Sequence, residues 1–143
     1  MDSAASLTLT QETAPDEATI RAIEGGLDAY NESVGAAWNV APLWIVGRDE
    51  SGTVQAGLRA ITVFDWMFVV WLWVGQAHRG GGIGSRLLAQ AEAIARARGC
   101  RASYLDTFSF QAPKFYERRG YREFGRLDDF PAGHARIWLS KAL

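Results

Sequence analysis

Hydrophobic and polar residues follow two different periods along the chain, and the changes between them predict the order of helices and strands. Apolar residues recur at three- and four-residue steps over residues 20–34 and 83–95, which is typical of amphipathic helices. Apolar runs rich in β-branched and aromatic residues predict three strands, over residues 43–46, 53–63 and 67–74. Short polar turns separate these strands, so we expect them to be antiparallel.

The first segment carries weaker signals. Leu7 and Leu9 alternate with polar residues, which predicts a short strand over residues 5–10. Thr13 is expected to cap the helix that follows, because Pro and acidic residues occupy its first turn. The Gly25–Gly26 pair weakens the middle of this helix and could divide it in two.

The second half of the chain adds a parallel strand and a closing hairpin. Residues 102–107 form a strand that lies parallel to residues 67–74, because a helical crossover joins the two. A short helix over residues 111–119 precedes a hairpin of residues 121–126 and 135–139. The fold class is therefore α/β, with a mixed, mostly antiparallel sheet, one parallel pair and helices on both faces.

Composition and charge restrict the class of protein. At 143 residues and 48% hydrophobic, the chain predicts one domain over residues 1–143. A net charge of −1 does not favour a nucleic acid as partner. Cys100 is the single cysteine, which excludes an internal disulfide and a paired metal or redox motif, and we expect it to be buried. Without a signal peptide or membrane-length apolar run, we expect a soluble, cytoplasmic protein with no metal.

A glycine loop between a strand and a helix predicts an anion-binding site. Residues 79–84, Arg-Gly-Gly-Gly-Ile-Gly, follow the apolar strand and open the amphipathic helix. Free N–H groups at a helix N-terminus suit a phosphate, although glycine here could also serve packing alone. Because the loop has no Gly-Lys-Ser/Thr, a nucleotide-triphosphate P-loop is unfavoured. The loop does not match the dinucleotide-binding fingerprint either, because Arg79 replaces its first glycine.

Two motifs resemble those of the GNAT family of N-acetyltransferases. The first resembles the family's acyl-CoA loop, Gln/Arg-x-x-Gly-x-Gly/Ala, through Arg79, Gly82 and Gly84. The second, residues 109–121, is similar to the family's Asn-x-x-Ala-x-x-x-Tyr-x-x-x-Gly-Phe segment, with Ala112, Tyr116, Gly120 and Tyr121 in register. Ser109 replaces the asparagine of that segment, and Gln111 could supply its hydrogen bond instead.

The resemblance implies acetyl-CoA as co-substrate and assigns its binding residues. Loop amides are expected to bind the diphosphate, and the edge of a strand splayed from the strand ending at Asp106 is expected to pair with the pantetheine amides. A main-chain N–H there would polarise the thioester carbonyl. The implied cofactor-binding residues are Trp73, Val74, Arg79, Gly80, Gly81, Gly82, Ile83, Gly84, Ser85 and Gln111.

The resemblance also implies catalytic residues. Tyr116 is placed to protonate the departing thiolate; the alternative is a core aromatic. Asp106 and Asp65 are candidates for the general base, and His134 with Asp128 and Asp129 could line the acceptor mouth. Each of these groups could instead be a solvated turn charge, with water relaying the proton.

The expected function is acetyl transfer from acetyl-CoA to a primary amine of a small molecule or peptide. We expect direct attack, because Cys100 is expected to be buried and no Ser-His-Asp arrangement is evident. A non-catalytic acyl-CoA-binding module and a dinucleotide-binding module are the alternatives. Six tryptophans and the family's frequent pairing through C-terminal strands favour a homodimer.

Overall fold

A computed structural model describes residues 5–36 and 38–143, and these divide into two compact units, the described residues up to Trp38 and Asn39–Leu143. The first unit contains one helix, α1 (Glu17–Ser33). Asp16, and not the predicted Thr13, is its N-cap: the Asp16 carboxylate accepts a hydrogen bond from the Thr19 N–H at 2.8 Å. The Gly25–Gly26 pair does not interrupt the helix.

The strand predicted over residues 5–10 is wrong, since this segment has no regular secondary structure. Alternation of apolar and polar residues predicts a strand only where a neighbouring strand exchanges hydrogen bonds with it. The six-stranded sheet begins at Ala41, and no strand of it pairs with this described segment. The single domain predicted over residues 1–143 stays a prediction.

The second unit is a six-stranded mixed sheet with two helices. Its strands lie in the order β1-β2-β3-β4-β6-β5, and of the described neighbours only β3 and β4 are parallel. This confirms the predicted sheet. The elements are β1 (Ala41–Arg48), β2 (Val54–Val63), β3 (Trp66–Val74), α2 (Ile83–Ala97), β4 (Ala102–Phe108), α3 (Pro113–Glu117), β5 (Arg122–Asp128) and β6 (Ala135–Ala142).

The elements differ from the predictions mainly at their ends. β1 extends through Arg48 because its register with β2 continues past a bulge, although a turn was predicted from Gly47 onward. Trp66 pairs with Val63 and Ala102, so it belongs to β3 and not to the preceding turn. α3 has five residues rather than the nine predicted: the Gln111 side chain caps the end of β4 instead of starting the helix, and Arg118 is already the C-cap.

One face of the sheet and the apolar face of α2 form the core of the second unit. Alternate strand residues are buried, as in the burial of Leu58, Met67 and Leu139. Leu87, Leu88, Ala91 and Ala95 of α2 pack into the same cluster, which confirms the helical face predicted from their spacing. Burying each leucine stabilises the fold by about 1.5–3 kcal/mol. Cys100 is buried and unpaired, as predicted.

The parallel pair separates halfway along its length. The β3–β4 ladder runs from Trp66–Ala102 to Val69–Leu105 and ends there. In the register with β2, Ala60 pairs with Val69 and Arg59 with Trp71, so Val70 is an extra residue in β3. Such a bulge increases the local twist and turns the strand away from its neighbour. The ends of β3 and β4 therefore diverge, as the family resemblance implied.

Candidate active site

A cavity of about 880 Å³ lies between the diverging ends of β3 and β4, and the glycine loop, α2 and the α3 region contribute further parts of its wall. All of the predicted cofactor-binding residues except Gly81 line it, and so do the predicted catalytic residues Tyr116 and Asp106. The lining includes Trp71, Trp73, Val74, Arg79, Gly80, Gly82, Ile83, Gly84, Ser85, Asp106, Thr107, Gln111, Phe115, Tyr116 and Arg119. The cavity thus brings together two motifs that are about 30 residues apart.

The glycine loop exposes unpaired N–H groups to this cavity. Gly82 is the N-cap of α2, with φ +84°, and no side chain caps the helix. The first helical bond is from the Arg86 N–H to the Gly82 carbonyl at 3.1 Å. The N–H groups of residues 82–85 therefore have no hydrogen-bond partner within the part of the chain that the structure describes. With the helix dipole behind them, these donors suit an anion.

The two motif glycines have different roles. A Cβ added to Gly82 would meet no atom within 4 Å, so the space in front of this residue is open. A Cβ added to Gly84 would lie 3.3 Å from the Phe115 ring, and the Gly84 φ is not in the left-handed region. Gly82 is therefore required by backbone conformation, and Gly84 is required by close packing of α2 on α3.

Arg79 connects the loop to the end of β3. Its Nε donates to the Val74 carbonyl at 2.9 Å. Its own N–H donates to the Gln76 carbonyl at 3.3 Å, closing a turn of 3-10 helix over Gln76–His78. We predicted that backbone donors would begin at Arg79, but because this N–H is already paired, the free donors begin after it.

Arg119 lies at the α2 N-terminus, and sequence reasoning did not select it. Its guanidinium donates to the Ser85 hydroxyl and to the Phe115 carbonyl, the latter at 3.1 Å, and lies 4.1 Å from the Phe115 ring centroid. Its Nε is buried without a hydrogen-bond partner in the described chain. The sequence signal was weak, since an arginine at the end of a short helix is ordinary.

Tyr116 is both a core residue and a wall of the cavity. Its side chain is 9% exposed and packs edge-on against Phe115 and Tyr121, with ring centroids 5.0 and 6.0 Å away. Its hydroxyl has no hydrogen-bond partner among residues 5–36 and 38–143. Burial raises the pKa of Tyr116 to about 12. The phenol is therefore a protonated, unengaged donor at neutral pH.

Asp106 is the first residue of β4 beyond its ladder with β3, and it lines the cavity. Arg136 of β6 donates to its Oδ1 from Nε at 2.7 Å, and Nη2 lies 2.6 Å from the same oxygen. The other candidate bases lie elsewhere. Asp65 pairs with Arg101 before the start of β3, at the end of the strand far from the cavity.

The residues suggested for the acceptor mouth do not line the cavity. Asp128 lies near Arg126, with 3.6 Å between Oδ1 and Nη1, and Asp129 accepts from the Gly133 N–H at 3.3 Å. The His134 ring lies edge-on to Phe110, with 5.0 Å between centroids. These contacts stabilise the β5–β6 connection.

The structure distinguishes Gln111 from Ser109. The Ser109 hydroxyl accepts from the Ala135 N–H at 2.9 Å and does not line the cavity. Gln111 lines it, and its Oε1 accepts from the Phe108 N–H at 2.9 Å and the Thr107 hydroxyl at 3.1 Å. These bonds fix the amide and leave its NH₂ group free of partners within the described residues.

The described residues contain neither a candidate metal cluster nor a membrane-spanning helix. No group of three or more His, Cys, Asp or Glu side chains there could hold a metal ion. No helix in residues 5–36 and 38–143 has the length and apolar character needed to cross a membrane.

Comparison with known proteins identifies the family. Residues 11–121 match the model of the acetyltransferase (GNAT) family. The chain is 38% identical over 121 residues to acetyltransferase Atu2258 of Agrobacterium fabrum, covering 85% of this chain and 88% of that protein. It is 44% identical over 95 residues to blasticidin-S acetyltransferase of Streptomyces morookaense, covering 66% of this chain and 70% of that protein.

A solved acetyltransferase structure from Bacillus cereus superposes with a TM-score of 0.83 at 33% identity, covering 94% of this chain and 98% of that one. The chain therefore belongs to the GNAT family, and it is an N-acetyltransferase.

Proposed function

We propose that this enzyme transfers the acetyl group of acetyl-CoA to a primary amine of a small molecule. The observation that carries the proposal is the composition of one cavity: unpaired N–H groups at the α2 N-terminus, the free Tyr116 hydroxyl and the Asp106 carboxylate all line it. An acetyl-CoA-dependent transferase needs an anion site, a donor for the leaving thiolate and a site for an ammonium group.

The cofactor would lie along the open edge of β3. Backbone N–H groups of the glycine loop, with the charges of Arg79 and Arg119 beside them, would bind the diphosphate. The segment of β3 that β4 leaves unpaired, ending at Trp73 and Val74, would pair with the pantetheine amides as a strand does. The free amide of Gln111 would donate to the same arm.

Direct attack of the amine on the thioester carbonyl gives a tetrahedral oxyanion, which a main-chain N–H of the open β3 edge would stabilise. The C–S bond then breaks and the electron pair leaves on sulfur. A thiol has a pKa of about 8.5, well below the pKa of about 12 for Tyr116. The phenol is therefore the weaker acid, and its main contribution is a hydrogen bond to the developing thiolate.

A covalent acyl-enzyme is not favoured. Cys100 is buried, does not line the cavity, and its pKa is raised by burial, so it provides no thiolate where the thioester would bind. Asp106 remains the candidate general base, through its oxygen atom that faces away from the arginine contacts. The homodimer, the cytoplasmic location and peptide acceptors stay predictions.

The first acceptor to test is blasticidin S, because a 44%-identical relative is named for its acetylation. The assay measures CoA release from acetyl-CoA with blasticidin S, polyamines, aminoglycosides, amino acids and peptide N-termini, and mass spectrometry confirms the acetylated product. We expect stoichiometric CoA and N-acetyl product with at least one small-molecule amine. Tight acetyl-CoA binding without turnover of any amine would instead favour the acyl-CoA-binding module, and binding of NAD in its place would contradict the cofactor assignment.

A further inference from the structure

The charged side chains that line the cavity are separated by sign. Arg79 and Arg119 lie beside the glycine loop, where Arg119 contacts the Ser85 hydroxyl and Arg79 contacts the end of β3. Asp106 lies on β4 and contributes the only carboxylate among the described lining residues. An anionic ligand group is therefore favoured at the loop and a cationic one at Asp106.

The Asp106 carboxylate has one engaged and one unengaged oxygen. Both contacts from Arg136 are to Oδ1, at 2.7 and 2.6 Å, and Oδ2 has no partner within the part of the chain that the structure describes. The side chain is 16% exposed and lines the cavity. Oδ2 is not among the buried side-chain atoms that lack a partner in the described chain, so this carboxylate oxygen is accessible from the cavity and can accept a hydrogen bond from a bound donor.

Arg136 is held by aromatic rings on several sides. Its guanidinium carbon lies 5.0 Å from the Trp138 ring centroid, 5.4 Å from Phe130 and 5.5 Å from Phe108. In the β4–β6 ladder Phe108 pairs with Arg136 and Asp106 with Trp138, so Arg136 reaches Asp106 along the diagonal. The rings restrict the orientation of the Arg136 guanidinium, and its contacts with Oδ1 in turn restrict the orientation of the Asp106 carboxylate.

We propose that Arg136 is a positioning residue that fixes Asp106 with Oδ2 free to bind the acceptor as its ammonium cation. The site would thereby select amines that carry a positive charge over neutral molecules of the same shape. Trp73 lines the same cavity and adds an aromatic face that suits a cation and its alkyl groups. This inference rests on the proposed function for the identity of the bound group as the acceptor.

The binding test needs no turnover. The probes are butylammonium at pH 7 and butan-1-ol, a neutral molecule of similar shape, and the readout is the NMR shift of the tryptophan indole N–H signals. We expect saturable binding of butylammonium only, lost in Asp106→Asn and weakened about tenfold or more in Arg136→Met. Arg136→Lys replaces Arg136→Met if the latter does not fold.

The matched control is Arg126→Met on the neighbouring strand. Arg126 also forms ion pairs, with Glu123 at 3.0 Å and Asp128 at 3.6 Å, but it does not line the cavity. The Arg126→Met variant should bind butylammonium as the wild type does. Equal binding of both probes, no butylammonium binding by the wild type, or full binding by Asp106→Asn would overturn the proposal.

The kinetic test separates positioning from structure. With an amine that the wild type acetylates, Arg136→Met should raise the acceptor KM about 10- to 100-fold and leave the acetyl-CoA KM unchanged. In an Asp106→Asn background the same change should have little further effect, because Arg136 acts through Asp106. Additive effects would overturn the positioning role. If butylammonium binds but no amine is turned over, the proposed function fails and the ammonium site stands.

Discussion

Replacing Tyr116 with phenylalanine removes one hydroxyl and leaves the ring contacts in place. The ring packs against Phe115 and Tyr121, and the hydroxyl has no hydrogen-bond partner in the described chain. Its removal therefore leaves no buried group unsatisfied, and the free energy of unfolding should change by less than about 1 kcal/mol. Acetyl-CoA affinity should also be nearly unchanged.

The expected loss is in turnover. A hydrogen bond to a charged group contributes about 1.5–3 kcal/mol, which corresponds to about a 10- to 150-fold fall in kcat. Full proton transfer by a positioned acid would contribute up to about 10⁴-fold. Because burial raises the pKa of Tyr116 to about 12, above that of a thiol, we expect the smaller range. The assay is CoA release under saturating acetyl-CoA with an acceptor that the wild type uses.

Tyr121→Phe is the matched control. The Tyr121 hydroxyl donates to the Ser103 hydroxyl at 2.9 Å in the core and does not line the cavity. Its loss should lower stability by about 1–3 kcal/mol and leave turnover per folded molecule unchanged. Wild-type turnover in a folded Tyr116→Phe protein would remove Tyr116 from the mechanism.

Three further predictions concern the loop, Arg119 and alkaline pH. Gly82→Ala should raise the acetyl-CoA Kd at least about tenfold by calorimetry, because the backbone φ of +84° is unfavourable for alanine and the added methyl group occupies the open space before α2; unchanged Kd in a folded variant would refute the loop assignment. Arg119→Met should weaken acetyl-CoA binding about tenfold and reduce its salt dependence, whereas Arg122→Met on β5 should not; equal effects would contradict a local role. The pKa of Tyr116 is raised from 10 to about 12, so the folded state keeps a proton that the unfolded state releases. Its contribution to stability is complete below pH 10 and is lost as the pH rises toward 12. The free energy of unfolding of Tyr116→Phe should therefore fall less steeply than that of the wild type over this pH range; identical pH dependence of the two proteins would contradict the buried phenol.

The sequence predicts most of the sheet because its signals are local. Apolar runs predicted β1, β2 and β3, the other strands of the second unit were also predicted, and the Arg79–Gly84 loop predicted the start of α2, whose first residues line the cavity. The wrong strand at residues 5–10 has the same local pattern, but no other strand pairs with it in the described chain. Alternation of apolar and polar residues therefore does not predict a strand correctly where no partner strand is available to pair with the segment.

The parts of the site that depend on distant contacts were not predictable. Arg136 is 30 residues from Asp106, and only the β4–β6 register brings them together. Arg119 is 34 residues from Ser85, and its position follows from the packing of α3 on α2 around Gly84. Choosing between Ser109 and Gln111 likewise required the hydrogen bond from Ala135 to the serine.

The most direct test of the proposed cofactor site is a titration that follows the backbone amide signals of residues 82–85 by NMR. These four N–H groups have no partner among the described residues, so a bound diphosphate should shift them strongly downfield and saturably. Acetyl-pantetheine, which carries the same thioester without the diphosphate, should leave them almost unchanged. If acetyl-CoA binds and these amides do not move, or if both ligands move them equally, the diphosphate does not bind at the α2 N-terminus.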